Sequence, residues 1–168
     1  MLTQVLRNRL TAASLTLTAT LALAAALPLL IDSAYAAGNA NTPIKVGIDL
    51  STTGPAAAIG ISSKNAMLMW PATLAGHPAQ YVFLDDSSDP GAAVRNIRKF
   101  VSEDKVDVIV GPNTTPSAMA ALDAAAETGT PMITLIGTSQ VVEPQEGKKI
   151  WAFKMAQNDA AMADVVTR

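Results

Sequence analysis

The chain has 168 residues, no cysteine, one histidine and a formal net charge of −2 at pH 7. The absent cysteine excludes a disulfide framework and a lipid-anchored N-terminal Cys, while the lone His77, in a Gly-His-Pro turn, speaks against a His-built metal cage or triad. With no basic block, nucleic acid is not an expected partner.

Residues 1–36 read as a cleaved signal peptide. Arg7 and Arg9 precede an uncharged run from Leu10 to Ile31, and Ala34-Tyr35-Ala36 offers small residues for cleavage after Ala36. The run is also long enough to span a membrane, but its threonines, Pro28 and the A-x-A end favour removal. Periplasmic export is the expectation. What remains holds ten Lys and Arg against thirteen Asp and Glu, enough chain for one small domain.

From there, apolar runs alternate with helical patterns. Ile44–Leu50 predicts a first strand, broken by Ser51-Thr52-Thr53-Gly54-Pro55. Ala66, Met67, Trp70 and Leu74 recur at helical spacing from about Gly60, with Pro71 ending the helix near Trp70. Gly76-His77-Pro78 predicts a turn and Gln80–Leu84 a second strand. Asp89 reads as the N-cap of a helix with Pro90 in its first position and a stripe of Val94, Ile97 and Val101. Val106–Val110 predicts a third strand covered on both faces. A helix from Pro116 to about Thr128 stops at Gly129. Pro131–Leu135 and Ile150–Lys154 predict two more strands, and a helix begins near Asp159. The methionines read mostly as packing, and Trp70 and Trp151 as core or hinge.

This order predicts an α/β fold, a doubly wound parallel sheet with right-handed crossovers. Ligands of such sheets bind beyond the carboxyl ends of the strands, which selects the loops Ser51–Ala58, Gly111–Pro116 and Ile136–Gln140. In Gly111-Pro112-Asn113-Thr114-Thr115-Pro116, the spacing puts Thr115 at an N-cap. It either satisfies its own helix or, together with bare N–H groups and the helix dipole, receives an anion such as a carboxylate. No glycine-rich phosphate motif is present, so nucleotides are disfavoured. Ile136-Gly137-Thr138-Ser139 can bring backbone close to a small ligand. Asp85 and Asp86 read better as strand-ending, turn-capping residues than as an acid–base pair or metal site. No nucleophile–base pair is evident, and neither catalysis nor a cofactor is expected.

Read together, Ile44-Lys45-Val46-Gly47, Thr53-Gly54-Pro55 with Gly60, Asp85-Asp86-Ser87-Ser88-Asp89-Pro90, Lys105-Val106-Asp107 before Val110-Gly111-Pro112, Thr130-Pro131-Met132-Ile133 and Phe153-Lys154 with Asn158-Asp159 resemble the periplasmic branched-chain amino-acid binding proteins. These are the type I solute-binding proteins of ABC importers, whose two lobes grip a ligand across a hinge. The resemblance implies that 37–156 is the N-terminal lobe and 157–168 the hinge and start of the second-lobe helix, in a truncated chain. It implies a monomer that passes an amino acid, aliphatic or branched-chain, to an inner-membrane ABC permease. The ligand's carboxylate would meet the Thr115 hydroxyl and the Thr138 N–H, and its ammonium the Ile136 carbonyl and the Thr138 hydroxyl. Asn113, Thr114 and Gly137 fall on the same contact loops. Ile59 stands where the best-known members carry a tyrosine against the ligand, so an amide, urea or aromatic acid is the alternative cargo. Pro71 is a further departure. The family's acidic partner for the ammonium, and the aromatic residues of its opposite lobe, lie beyond Arg168. A sensor or receptor ectodomain built on the same fold is the reading from another functional class.

Overall fold

The computed structural model of the protein describes residues 42–168, and the expected leader lies outside them. A mixed sheet of six strands carries everything else: β1 (Ile44–Leu50), β2 (Thr73–Leu74), β3 (His77–Asp85), β4 (Val108–Val110), β5 (Met132–Thr134) and β6 (Ala152–Lys154). Their spatial order is β2-β3-β1-β4-β5-β6, parallel throughout except for β2, which pairs antiparallel with β3. The doubly wound α/β sheet read from the sequence is therefore present, with a short hairpin strand added at one edge.

Alternation along β1 explains how both faces are covered. Val46, Ile48 and Leu50 join Val110 and Met67 in one apolar cluster, on the side of helix α1 (Ala57–Met67). Gly47 and Asp49 turn the other way: Phe100 packs so tightly over Gly47 that a Cβ there would press into its ring, and Asn96 reaches Asp49. That second face carries α2 (Pro90–Lys99) and α3 (Thr115–Ala126), with Ile97, Phe100, Ile109, Leu122 and Met132 fully buried between helices and sheet. Each such side chain contributes roughly 1.5–3 kcal/mol of burial free energy. Alanines dominate the inner side of α3, among them Ala118, Ala121 and Ala125. α4 (Asp159–Val166) buries none of its residues.

Several local expectations need correction. α1 begins at Ala57 and ends at Met67, so Trp70 stands in the turn that follows and Leu74 in β2. Trp70 packs edge-on against Tyr81 at 5.6 Å, and the Tyr81 hydroxyl donates to the Pro71 carbonyl at 2.8 Å. Beside them lies an apolar hollow of about 320 Å³, lined by Val46, Leu74, Val108 and Val110. β3 starts at His77 because the β2 hairpin extends the pairing of that strand. A π-helical turn (Phe100–Asp104) follows α2 and ends in left-handed Lys105, which delays β4 to Val108. Ile150 and Trp151 close a 3-10 turn rather than opening β6. Met69, Met155 and Met162 are exposed, unlike Met67 and Met132, so the packing role assigned to the methionines holds only in part.

Candidate functional site

β1 has β3 on one side and β4 on the other, so the winding direction reverses between β1 and β4. At such a switch point the carboxyl-end loops diverge and leave a crevice. Three loops meet there. The backbone N–H of Ser51 donates to Asn113 Oδ1 at 2.8 Å, joining the loop after β1 to the loop after β4. Leu135 N–H donates to the Pro112 carbonyl at 3.1 Å, joining the latter to the loop after β5. Gly111 permits this crowding: its φ is 103°, and a Cβ would collide with the Asp49 carbonyl.

Asn113 is thus a buried brace, its amide nitrogen enclosed without a hydrogen-bond partner. Thr114, not Thr115, is the N-cap of α3; Thr115 is the first helical residue and Pro116 the second. The sequence reading was off by one because a helix's first N–H groups are all orphans, and proline fits either position. The Thr114 side chain makes no capping hydrogen bond, although its backbone is extended as a cap's should be. By contrast, Asp89 caps α2 by accepting from Ala92 N–H at 2.6 Å, and Asn158 caps α4 by accepting from Ala160 N–H at 3.0 Å. The N-terminus of α3 therefore presents two hydroxyls and uncapped amides, with Thr115 exposed and Thr114 half-buried. Ser117 Oγ, one turn in, is buried without a partner.

On the neighbouring loop Ile136 is buried, while Gly137 and Thr138 are half-buried. Thr138 caps its own 3-10 turn (Ser139–Val141), accepting from Gln140 N–H at 3.3 Å. The Asp159 carboxylate lies so close to Gly137 that no side chain fits there. Ile59 is 59% exposed near the start of α1; the following Gly60 is pressed against the Ser51 carbonyl, which holds that helix end beside the loop after β1.

The acidic residues hold loops. Asp85 accepts from the N–H groups of Thr52, Thr53 and Ser87 and from the Thr53 hydroxyl. Burial works against its ionised form, but these donors, Thr53's hydroxyl foremost, bring its carboxyl down to about 2. Asp86 accepts from Ser51 Oγ at 2.6 Å and Ser88 N–H at 2.9 Å. Both shape turns, as their sequence context predicts. The sequence reading missed Asp49, fully buried within β1, and Lys154, whose partners are all carbonyls.

An open doubly wound lobe with polar loops gathered at the carboxyl edge of its sheet has the build of a ligand-binding domain. The family described as periplasmic binding protein matches residues 43–168, and the chain belongs to it. This bears out the type I solute-binding resemblance and places the protein outside the cytoplasm. An extracellular ligand-binding receptor from Rhodopseudomonas palustris HaA2 is 37% identical with a TM-score of 0.72, over 75% of this chain and 35% of its own. A solute-binding protein of an ABC transporter from Rhodopseudomonas palustris BisB5, in complex with 3,4-dihydroxybenzoic acid, is 28% identical (TM-score 0.63) over 69% of this chain and 32% of its own. A leucine-binding protein from Thermotoga maritima MSB8 shares the fold at 23% identity and a TM-score of 0.62, over 74% of this chain and 37% of its own. The chain spans about a third of the length of these structures. No curated protein matches it.

Proposed function

We propose that the chain is the first lobe of the substrate-binding component of an ABC importer, capturing a small carboxylic acid and passing it to the permease. Residues 1–36 are its export signal and 157–168 lead into the second lobe. The observation that carries this reading is the unused cap of α3: hydroxyls at Thr114 and Thr115 and bare N–H groups at the positive end of a helix dipole, beside the Thr138 loop. A ligand carboxylate fills the place a capping side chain would take. The Ile136 carbonyl and the Thr138 hydroxyl then receive the ammonium of an amino acid. Asn113 and Gly137 support the two loops, and Ile59 lies at the rim.

An aromatic acid is the second reading. It is favoured by the 3,4-dihydroxybenzoic acid complex of the 28% identical relative and by the aliphatic Ile59. Either cargo brings the same carboxylate. The test is thermal unfolding of the complete reading frame with L-amino acids, hydroxybenzoates and their amides. A ligand at a hundred times its Kd stabilises by about 2.7 kcal/mol, so a cognate acid must raise the Tm with concentration and its amide must not. A panel in which no acid raises the Tm overturns the proposal.

A further inference from the structure

Lys154 ends β6 half-buried, and none of the described carboxylates forms an ion pair with it. Its ammonium instead donates to three carbonyls: Gly137 at 3.0 Å, Ala156 at 2.7 Å and Gln157 at 2.8 Å. All three protons are used. Two of the acceptors lie in the segment between β6 and α4, and the third lies in the loop after β5. The Gly137 carbonyl takes a second donor, Asp159 N–H at 3.1 Å, so its direction is held from two sides.

That direction has a consequence across the same peptide plane. The cis bonds among the described residues are Gly111-Pro112 and Glu143-Pro144, so Gly137–Thr138 is trans. In a planar trans peptide the C=O and N–H point opposite ways, and a carbonyl turned to Lys154 turns the Thr138 N–H away from it. That N–H donates to no described backbone carbonyl. Donation to the carbonyl oxygen also polarises the amide, strengthening its N–H as a donor. We propose that Lys154 is a positioning residue for ligand capture: through the Gly137 carbonyl it aims and polarises the Thr138 N–H toward the ligand's carboxylate, and it ties this loop to the segment between β6 and α4. The inference rests on the carboxylate site proposed above.

Calorimetric titration of the complete reading frame with the same acid panel tests it, comparing wild type, Lys154→Met and Lys154→Arg. A charge-assisted hydrogen bond lost at the site corresponds to about tenfold in affinity. Lys154→Met is expected to weaken acid binding by about that factor, with Lys154→Arg falling between it and wild type. In two-dimensional NMR the Thr138 amide proton should move downfield on saturation with acid in wild type and much less in Lys154→Met. That response separates aiming of the amide from a general loosening of the loop. Should Lys154→Met not fold, Lys154→Gln, which keeps a donor without the charge, replaces it. Unchanged affinity in the variant, or weakened binding with a wild-type Thr138 response, overturns the role of Lys154 and leaves the acid site standing. A wild type that binds no acid overturns the site itself, and this role with it.

Discussion

Asp49 shows how much a single residue can carry unseen in a strand. Its Oδ1 accepts from Asn96 Nδ2 at 2.7 Å, while its Oδ2 is buried with no partner. Burial pushes the carboxyl up from 3.8 to about 8, against the pull of the Asn96 donor and with help from the nearby Asp86 and Asp85. Between those two values the folded protein keeps a proton that the unfolded chain has released. Stability should therefore fall as pH rises from about 4 to about 8, by up to about 1.4 kcal/mol per pH unit. Asp49→Asn keeps an acceptor for Asn96 and removes the titration, so its urea-unfolding profile over that range should be flatter than wild type; an equally steep profile would discard this account. Nothing in Ile44-Lys45-Val46-Gly47-Ile48-Asp49-Leu50 announces it, because burial at Asp49 depends on where α2 places Asn96. Lys154 was hidden for the same reason: its acceptors are backbone atoms, which composition and spacing do not display.

Among the elements, the helix starts separate structure from function. Asp89 is a working cap, and Asp89→Ala should cost about 1 kcal/mol of stability. Thr115 caps nothing, so Thr115→Ala should stay within about 0.5 kcal/mol of wild type while weakening acid binding. Paired unfolding and binding measurements decide it: a stability loss at Thr115 equal to that at Asp89 would return the residue to a plain structural role. The sequence located the α2 cap correctly because Asp-Pro is a local signal that depends on little else. It misplaced the α3 cap by one because Thr114-Thr115-Pro116 offers two equivalent starts. The parallel strands were legible as apolar runs between turn residues. The two-residue β2, the π-helical turn after Lys99 and the 3-10 turn before Ala152 were not, since each depends on contacts made with the rest of the lobe. Of the candidate site, the strand order made legible which three loops lie together, but not the brace at Asn113 or the grip on the Gly137 carbonyl.

At the scale of the molecule, the loops of the candidate site sit at one edge of a single lobe, and a ligand resting there has its far side in water. Charge-assisted hydrogen bonds at the α3 N-terminus and Thr138 are worth about 1.5–3 kcal/mol each. Immobilising the ligand costs at least about 4 kcal/mol. For two such bonds the difference is at most about 2 kcal/mol, which leaves a Kd no tighter than roughly tens of millimolar for the chain alone. Effective small-molecule sites bury about 70–90% of their ligand; on the function proposed above, a second lobe closing over the acid would supply that area and dry the hydrogen bonds already made. Calorimetry on residues 37–168 should therefore detect no micromolar binding of an acid that the complete reading frame binds tightly. Equal affinities in the two would mean that one lobe is sufficient and that closure adds nothing to capture.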